Sequence, residues 1–278
     1  MQASHIHQTV ADLLAHAAGR MGSRMEAEML LAWVLDRDRA WLYAHADEYC
    51  DPESRQRFDG LVARRLEGVP VAHLTGWREF HDYRFRVTPD VLVPRPETEL
   101  LIELALESAL PDAARVLDIG TGSGCVALTL ALERPDWDVC GTDVSGAALS
   151  VAKDNRNHLQ ADVELLEGSL FEPVQARRFH LVVSNPPYVA AGDAHLDQAD
   201  LQHEPQLALV AGTDGLDLIR DLIVQAPRHL EPGGSILIEH GHDQAMAVRR
   251  LLQAAGFRQV GSRQDLAGIE RVSFGRIP

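Results

Sequence analysis

The feature that most constrains the fold is an alternation of short apolar runs with longer amphipathic segments from Arg115 onwards. Short runs rich in β-branched residues are typical of buried strands, and apolar residues at helical spacing are typical of helices packed on them. We predict strands at 116–119, 138–142, 163–166, 181–184 and 235–239, and helices at 125–133, 147–158, 216–229 and 244–255. Two last strand-like stretches, 257–261 and 271–274, have no helix between them and predict an antiparallel pair. This order is typical of an α/β protein with a mostly parallel sheet.

The part before this alternation, residues 1–68, shows helical patterns only and predicts a small all-α N-terminal domain. Its first helix is expected to start around Ile6 and to end near Gly19. A capping-box pattern opens at Ser23, and Asp38 and Asp51 stand where helix caps are expected. One apolar face is predicted for the second helix, formed by Met25, Met29, Leu30, Trp33 and Val34.

A change of composition separates this domain from the sheet. Residues 69–95 contain prolines and glycines that exclude long helices, and a strand-like alternation at 83–87, so they predict a hairpin-like connector. Residues 96–278 then form the sheet domain, which opens with a helix expected to reach Leu110.

The charge and composition narrow the classes of partner. The formal net charge is −15, with 26 Lys and Arg against 41 Asp and Glu. Because binding to phosphates needs clustered cations, we expect no direct nucleic-acid binding. No apolar run approaches the length of a membrane span, and the first residues lack a signal-peptide pattern, so we expect a cytoplasmic protein without a membrane partner. The cysteines, Cys50, Cys125 and Cys140, lack metal-ligand spacing, and no metal is expected.

The strand predicted at 181–184 runs directly into Asn185-Pro186-Pro187-Tyr188. The Asn185 side-chain carbonyl and the Pro186 backbone carbonyl can each accept one N–H bond from an NH2 group. An amide or exocyclic amine nitrogen is a poor nucleophile, and two fixed acceptors would aim its lone pair and favour its developing positive charge. Tyr188 offers a flat face to a planar substrate group. Taken alone, the stretch is equally typical of a proline-bounded turn after a core strand.

A second candidate site is the loop between the first sheet strand and its helix. It runs from Asp118 to Gly124, with glycines at 120, 122 and 124. This GxGxG spacing differs from the GxGxxG of a dinucleotide site, and the Asp118 carboxylate would repel a pyrophosphate but suits a cationic ligand. Asp143 ends the next predicted strand, where an acid can accept both hydroxyls of a ribose. Together with Asn185 to Tyr188, these elements predict S-adenosylmethionine as cofactor and methyl transfer to nitrogen.

With these motifs the sequence resembles the HemK-type peptide chain release factor glutamine methyltransferases, the protein-(glutamine-N(5)) methyltransferase family. The resemblance covers essentially the whole chain. Besides the two motifs above, it is carried by the stretches Ala72–Gly76, Val93–Glu99, His203–Pro205 and Gly212–Leu216. The Pro-Arg-Pro-Glu-Thr-Glu run at 94–99 and His203-Glu204-Pro205 are specific to this group and are not expected of methyltransferases in general.

The resemblance implies a seven-stranded, Rossmann-like sheet of an S-adenosylmethionine-dependent methyltransferase, and an N-terminal helical domain that helps to hold the release factor. It implies an enzyme that methylates the side-chain amide nitrogen of the glutamine in the release factor's Gly-Gly-Gln motif. The implied cofactor-binding residues are Asp118, Gly120, Thr121, Gly122, Ser123, Gly124, Asp143, Ser169, Leu170 and Asn185. The implied substrate-binding residues are Asn185, Pro186, Pro187, Tyr188 and Arg95, with Asn185 and Pro186 catalytic.

Some assignments stay open at this point. Leu170 stands where many family members have an aromatic residue against the adenine. Arg95 either lines the site or is an ordinary arginine at a helix start, and His203-Glu204-Pro205 is hypothesised to close over the site. Two other functions remain, an adenine-N6 nucleic-acid methyltransferase and a non-catalytic adaptor that binds a translation factor. A monomer is expected.

Overall fold

The computed structural model describes residues 8–278, so the predicted start of the first helix at Ile6 lies outside the described residues. The chain divides into two compact units. One comprises the described residues up to Gly76 together with Asp197–His203, and the other comprises Trp77–Leu196 and Glu204–Pro278. The predicted boundaries at residues 68 and 95 stay predictions.

The first unit is helical. Its helices are α1 Val10–Met21, α2 Arg24–Leu35, α3 Arg39–Ala44, α4 Pro52–Leu66 and α5 Val71–Thr75. The helices enclose one apolar core, in which Leu30, Leu31 and Phe58 are almost fully buried. Asp38 and Asp51 cap α3 and α4 as predicted, because each side chain accepts a backbone N–H of the first helical turn.

Three local predictions for this unit are wrong, and one of them is the capping box at Ser23, of which only the hydrogen bond to the Ser23 side chain forms. Helix α1 passes Gly19 and ends at Met21, since Gly22 takes the left-handed conformation (φ 71°) that stops a helix. The apolar face of α2 is narrower than predicted, because Leu30 and Val34 are buried whereas Met25 and Trp33 are 57% and 38% exposed.

The second unit begins with a hairpin of β1 Trp77–Phe80 and β2 Tyr83–Arg86. Its main sheet has seven strands in the order β5-β4-β3-β6-β7-β9-β8. Their bounds are β3 Arg115–Ile119, β4 Asp138–Asp143, β5 Val163–Glu167, β6 Phe179–Ser184, β7 Leu230–Glu239, β8 Arg258–Gln264 and β9 Glu270–Arg276. Strands β3 to β7 are parallel, and β9 runs antiparallel to both β7 and β8. The predicted α/β class, the seven-stranded sheet and the closing antiparallel pair are confirmed.

The helices of this unit cover two apolar clusters. Successive residues of β6 alternate between them, with Leu181 and Val183 in one cluster and Val182 in the other, as expected for a sheet buried on both faces. The helices are α6 Glu99–Glu107, α7 Cys125–Glu133, α8 Gly146–Leu159, α9 Asp217–Gln225 and α10 Ala245–Ala254. The predicted helix to Leu110 is shorter, because a 3-10 turn over Pro96–Thr98 precedes α6 and the helix ends at Glu107. Within residues 8–278, no helix has the length and apolar character needed to cross a membrane.

Candidate active site

A pocket of about 480 Å³ lies at the carboxyl ends of the central strands. It is bordered by Asp118 of β3, Asp143 of β4 and Asn185 just after β6. Strand β3 pairs with β4 on one side and β6 on the other, so the pocket sits where the strand order reverses. Ligands of open α/β sheets bind at such a position. The volume falls in the range of about 300–1,000 Å³ that is usual for small-molecule sites.

Most of the residues predicted from the sequence line this pocket. They are Arg95, Asp118, Gly120, Thr121, Gly122, Ser123, Asp143, Ser169, Leu170, Asn185 and Pro187. Gly124, Pro186 and Tyr188 are not among its lining residues. A Cβ on Gly124 would come within 2.9 Å of the Leu128 side chain, so the absence of a side chain here lets the turn pack closely against α7.

Backbone hydrogen bonds fix the glycine loop to β4. The N–H groups of Gly120 and Thr121 donate to the Thr142 carbonyl at 2.8 and 3.0 Å. The N–H of Gly122 donates to Asp143 Oδ2 at 2.8 Å, and Ser145 donates to Oδ1 of the same carboxylate at 2.9 Å. The loop and the strand-end acid are therefore one preformed structure.

The Asp118 and Asp143 carboxylates, the first buried and the second half-buried, give the pocket its electrostatic character. Burial raises the pKa of Asp118 to about 7; hydrogen bonds from the Thr121 hydroxyl and the Ala127 N–H oppose this rise, and the Asp143 charge adds to it. Burial also raises the pKa of Asp143, against hydrogen bonds from the Ser145, Gly122 and Val144 backbone. A cationic ligand would relieve the cost of ionising both groups.

The other charged residues of the pocket lining are also acidic, with the exception of Arg95. Among the described residues that line the pocket, the charged ones are Arg95 and the five aspartates Asp90, Asp118, Asp143, Asp217 and Asp221. The charge of Arg95 is already compensated, because its Nη2 lies 2.5 Å from Glu204 Oε1. The pocket is thus suited to a cation and poorly suited to a phosphate.

The Asn185 side chain is held through its amide nitrogen. Its Nδ2 donates to Thr98 Oγ1 at 3.0 Å, and its Oδ1 accepts no hydrogen bond from the described chain. The preceding residue anchors the loop, since Ser184 Oγ donates to the Ile119 carbonyl at 2.7 Å. The carbonyl of Tyr188 accepts from Gln244 Nε2 at 3.0 Å, so the loop is fixed at both ends. The amide oxygen remains available to an N–H donor of a ligand.

Glu204 connects two stretches that the sequence singled out. It is 4% exposed, and its Oε2 accepts the Val93 N–H at 3.2 Å while its Oε1 binds Arg95. The following Pro205 and Leu207 line the pocket. His203 is placed differently, because it belongs to the helical unit, where its Nε2 lies 3.4 Å from the Glu67 carbonyl.

Two residues near the site were missed by the sequence reasoning. Thr98, at the end of the Pro-Arg-Pro-Glu-Thr run, is buried against Asn185. Glu239, at the end of β7, is 1% exposed. The sequence contains a signal for Glu239, because a charged residue stands at the end of an apolar strand. It contains none for Thr98, because nothing in the Pro-Arg-Pro-Glu-Thr run indicates that the Thr98 hydroxyl, and not another polar group, contacts Asn185.

Comparison with known proteins places the chain in a family. Residues 7–76 match the family model described as PrmC N-terminal domain, and residues 96–203 match the one described as Methyltransferase small domain. A T. thermophilus 16S rRNA methyltransferase, solved in complex with AdoMet and guanosine, has a TM-score of 0.55 at 22% identity, over 73% of this chain and 51% of that one. This likeness supports the fold.

Curated relatives cover nearly the full length. The release factor glutamine methyltransferase of Bordetella pertussis is 51% identical, over 91% of this chain and 95% of that protein. The protein of the same name from Neisseria gonorrhoeae is 49% identical, over 91% of this chain and 93% of its own length. With this identity, with both family models in chain order, and with an acid-lined pocket beside Asn185, the chain belongs to the release factor glutamine methyltransferase family.

Proposed function

We propose that the protein transfers the methyl group of S-adenosylmethionine to the side-chain amide nitrogen of the glutamine in the Gly-Gly-Gln motif of peptide chain release factors. Membership of the family supports this reaction. The observation that carries it is the free Oδ1 of Asn185 at the edge of an acid-lined pocket, because it joins an acceptor for an amide N–H to a site for a cation.

The residues present fit S-adenosylmethionine, which carries ammonium and sulfonium charges. Asp118 would hold cationic charge, Asp143 the ribose hydroxyls, and Ser169 and Leu170 the adenine. The fit is supported by the Asp118 and Asp143 carboxylates, whose pKa values are raised because burial disfavours their charged forms. When bound, the cofactor supplies a methyl group that is activated by its attachment to a sulfonium.

The chain then has to hold and aim the amide nitrogen. In this proposal Asn185 Oδ1 and the Pro186 carbonyl each accept one N–H of the substrate. Pro187 and Tyr188 contact the planar amide group. As the N–C bond forms and the S–C bond breaks, these two acceptors stabilise the positive charge that develops on nitrogen. The nitrogen then releases one proton to solvent, so no separate base is needed. Arg95, held by Glu204, would border the substrate.

The helical unit is proposed to help hold the release factor. Large apolar or aromatic side chains are at least one-third exposed on it, namely Met25, Trp33, Tyr43, Tyr49 and Leu66. Surface aromatic residues of this kind are enriched at protein interfaces. We further propose that the enzyme acts as a cytoplasmic monomer and does not bind nucleic acid directly, as its acidic balance favours.

The function is tested by incubating the protein with S-adenosylmethionine and a full-length release factor, then analysing peptides by mass spectrometry. We expect one added methyl group on the Gly-Gly-Gln glutamine. A release factor with glutamate in place of that glutamine is the matched control and should stay unmodified. Cofactor binding without methylation of the factor would contradict the proposal, and methylation of adenine in DNA or RNA would favour the nucleic-acid alternative.

Replacing the strand-end acid should act on cofactor binding first. For Asp143→Ala we expect a dissociation constant for S-adenosylmethionine raised by about 10-fold or more, since a hydrogen-bonded charged group contributes about 1.5–3 kcal/mol. Turnover at saturating cofactor should fall less. Calorimetry measures the affinity, and Asp143→Asn, which keeps one acceptor oxygen, should lose less of it. Unchanged affinity in Asp143→Ala would remove Asp143 from the cofactor site.

A further inference from the structure

The Pro-Arg-Pro-Glu-Thr-Glu stretch contacts the substrate-holding loop through one side chain. Thr98 is 2% exposed, and its hydroxyl oxygen accepts the hydrogen bond from Asn185 Nδ2 at 3.0 Å. A threonine hydroxyl carries a single hydrogen. Once its oxygen accepts from Asn185, that hydrogen is directed to another acceptor.

The candidate acceptor is Glu239, at the end of the strand next to Asn185. Strands β6 and β7 pair in parallel with Ser184 opposite Ile238, which places Glu239 beside Asn185 at the sheet edge. The carboxyl group of Glu239 is buried, and the hydroxyls of Thr98 and Tyr188 both lower its pKa, so both lie close to it. Its Oε2 has no hydrogen-bond partner. Glu239 is thus positioned to accept from two hydroxyls, that of Thr98, which contacts Asn185, and that of Tyr188 at the end of the same loop.

The direction of these hydrogen bonds decides how the Asn185 amide is oriented. An ionised carboxylate can only accept, so Thr98 must donate to Glu239 and accept from Asn185. The amide nitrogen then faces Thr98 and the amide oxygen faces away from it. If the amide were turned over, its NH2 group would meet the NH2 group of the substrate, and two donors cannot bond to each other.

We propose that Glu239 is the positioning residue of the methyl-transfer site: through the Thr98 hydroxyl it fixes Asn185 with Oδ1 toward the substrate nitrogen, and through the Tyr188 hydroxyl it holds the end of the same loop. This inference rests on the proposed function, because the orientation of Asn185 matters only if that side chain holds an amide or amine nitrogen. It assigns a role to Thr98 in the Pro-Arg-Pro-Glu-Thr-Glu stretch.

The proposal implies a pH dependence with a definite sign. Burial raises the pKa of Glu239 to about 7; the Thr98 hydroxyl lowers it, the Glu97 carboxylate raises it, and Arg271 and the Tyr188 hydroxyl lower it. The Cys125 thiol also lies near, and burial raises its pKa to about 12, so it is neutral. Below a pH of about 7, protonated Glu239 can donate to Thr98, and Thr98 can then donate to Asn185 Oδ1. The amide is no longer held in the productive orientation, and turnover falls.

The first test compares two substitutions of Thr98. In Thr98→Val the hydroxyl is lost at nearly constant volume. We expect kcat to fall by about 10–100-fold, the size of rate loss that a misplaced reacting group causes. The affinity for S-adenosylmethionine should stay within about threefold, since the interaction is made with Asn185 and not with the cofactor. Thr98→Ser retains the hydroxyl and should recover most of the lost kcat.

A control separates this effect from general loss of packing. Thr129 in α7 is also buried, and its hydroxyl has no hydrogen-bond partner. Thr129→Val makes the same chemical change away from the pocket and should leave kcat as in the wild type. A kcat in Thr98→Val equal to that of Thr129→Val, or an equal loss in Thr98→Ser and Thr98→Val, would overturn the proposal.

The second test uses the pH profile of kcat at saturating cofactor. The wild type should lose turnover below about pH 7, whereas Glu239→Gln should have a lower kcat without that acid limb. An acid limb retained in Glu239→Gln would overturn the proposal even if kcat were reduced. A wild-type protein that leaves the release factor unmethylated would instead refute the proposed function, and this inference with it.

Discussion

Asn185→Ala is expected to lower kcat for release-factor methylation by about 10²–10³-fold, the usual effect of removing one preorganised group that stabilises charge in the transition state. The side chain offers the amide oxygen that would accept a substrate N–H, and alanine cannot replace it. Cofactor affinity should remain within about threefold, because the pocket has many other lining residues. Single-turnover methylation of a release factor and calorimetry with S-adenosylmethionine measure the two quantities separately.

The matched control for this substitution is Asn157→Ala, on an exposed position of α8. It makes the same change outside the pocket and should leave both quantities as in the wild type. A strongly raised dissociation constant with little change in turnover at saturating cofactor would place Asn185 on the cofactor instead. Full activity in Asn185→Ala would remove it from the mechanism.

The parts of the site that the sequence predicts are those that follow directly from strand ends. Asp118, Asp143 and Asn185 each end or follow a short apolar run, and parallel strands bring their carboxyl ends to one edge of the sheet. Nothing beyond the strand assignment is needed to place such residues together. The same argument accounts for the glycine loop, which must connect β3 to α7 at that edge.

The relations of Thr98 and Glu239 to Asn185 were missed for a different reason. The bond between Thr98 and Asn185 spans 87 residues of chain, and the position of Glu239 beside Asn185 depends on the pairing of β6 with β7. Neither relation leaves a periodicity or a spacing in the sequence. Contacts of this kind are set by strand order and register, which a single sequence does not specify.

The errors in the helix predictions have identifiable physical causes. The end of α1 was predicted near Gly19, yet glycine inside a helix costs only about 1 kcal/mol relative to alanine, and the helix continues to Met21. Ser23 caps α2 by accepting the Glu26 N–H. The Glu26 carboxylate is bound by Arg65 at 2.9 Å and does not complete the capping box. The Glu26 side chain, which the local pattern assigns to the cap of α2, instead forms a tertiary ion pair with Arg65.

Binding of S-adenosylmethionine is expected to weaken by about 10-fold between about pH 8 and about pH 6, through ionisation of Asp118. Burial raises the pKa of this carboxyl group to about 7 in the free protein, and a bound cation must lower it. The ionised form therefore binds better, so affinity falls as the pH drops through this value, and binding near pH 7 releases protons. Calorimetry in two buffers of different ionisation enthalpy measures both the affinity and the protons released.

Removing the charge of Asp118 should lower the affinity for S-adenosylmethionine and also remove the pH dependence of that affinity. For Asp118→Asn, a nearly isosteric change, we expect binding weakened by about 100-fold at about pH 8, because an ion pair at an effective dielectric constant of about 20 is worth several kcal/mol. The residual affinity should vary little with pH. Asp112→Asn, on an exposed position, is the matched control and should keep both the wild-type affinity and its pH dependence. If Asp118→Asn kept the full pH dependence, the titrating group would be another carboxyl of the pocket, and Asp118 would serve mainly to hold the loop through the Thr121 hydroxyl and the Ala127 N–H.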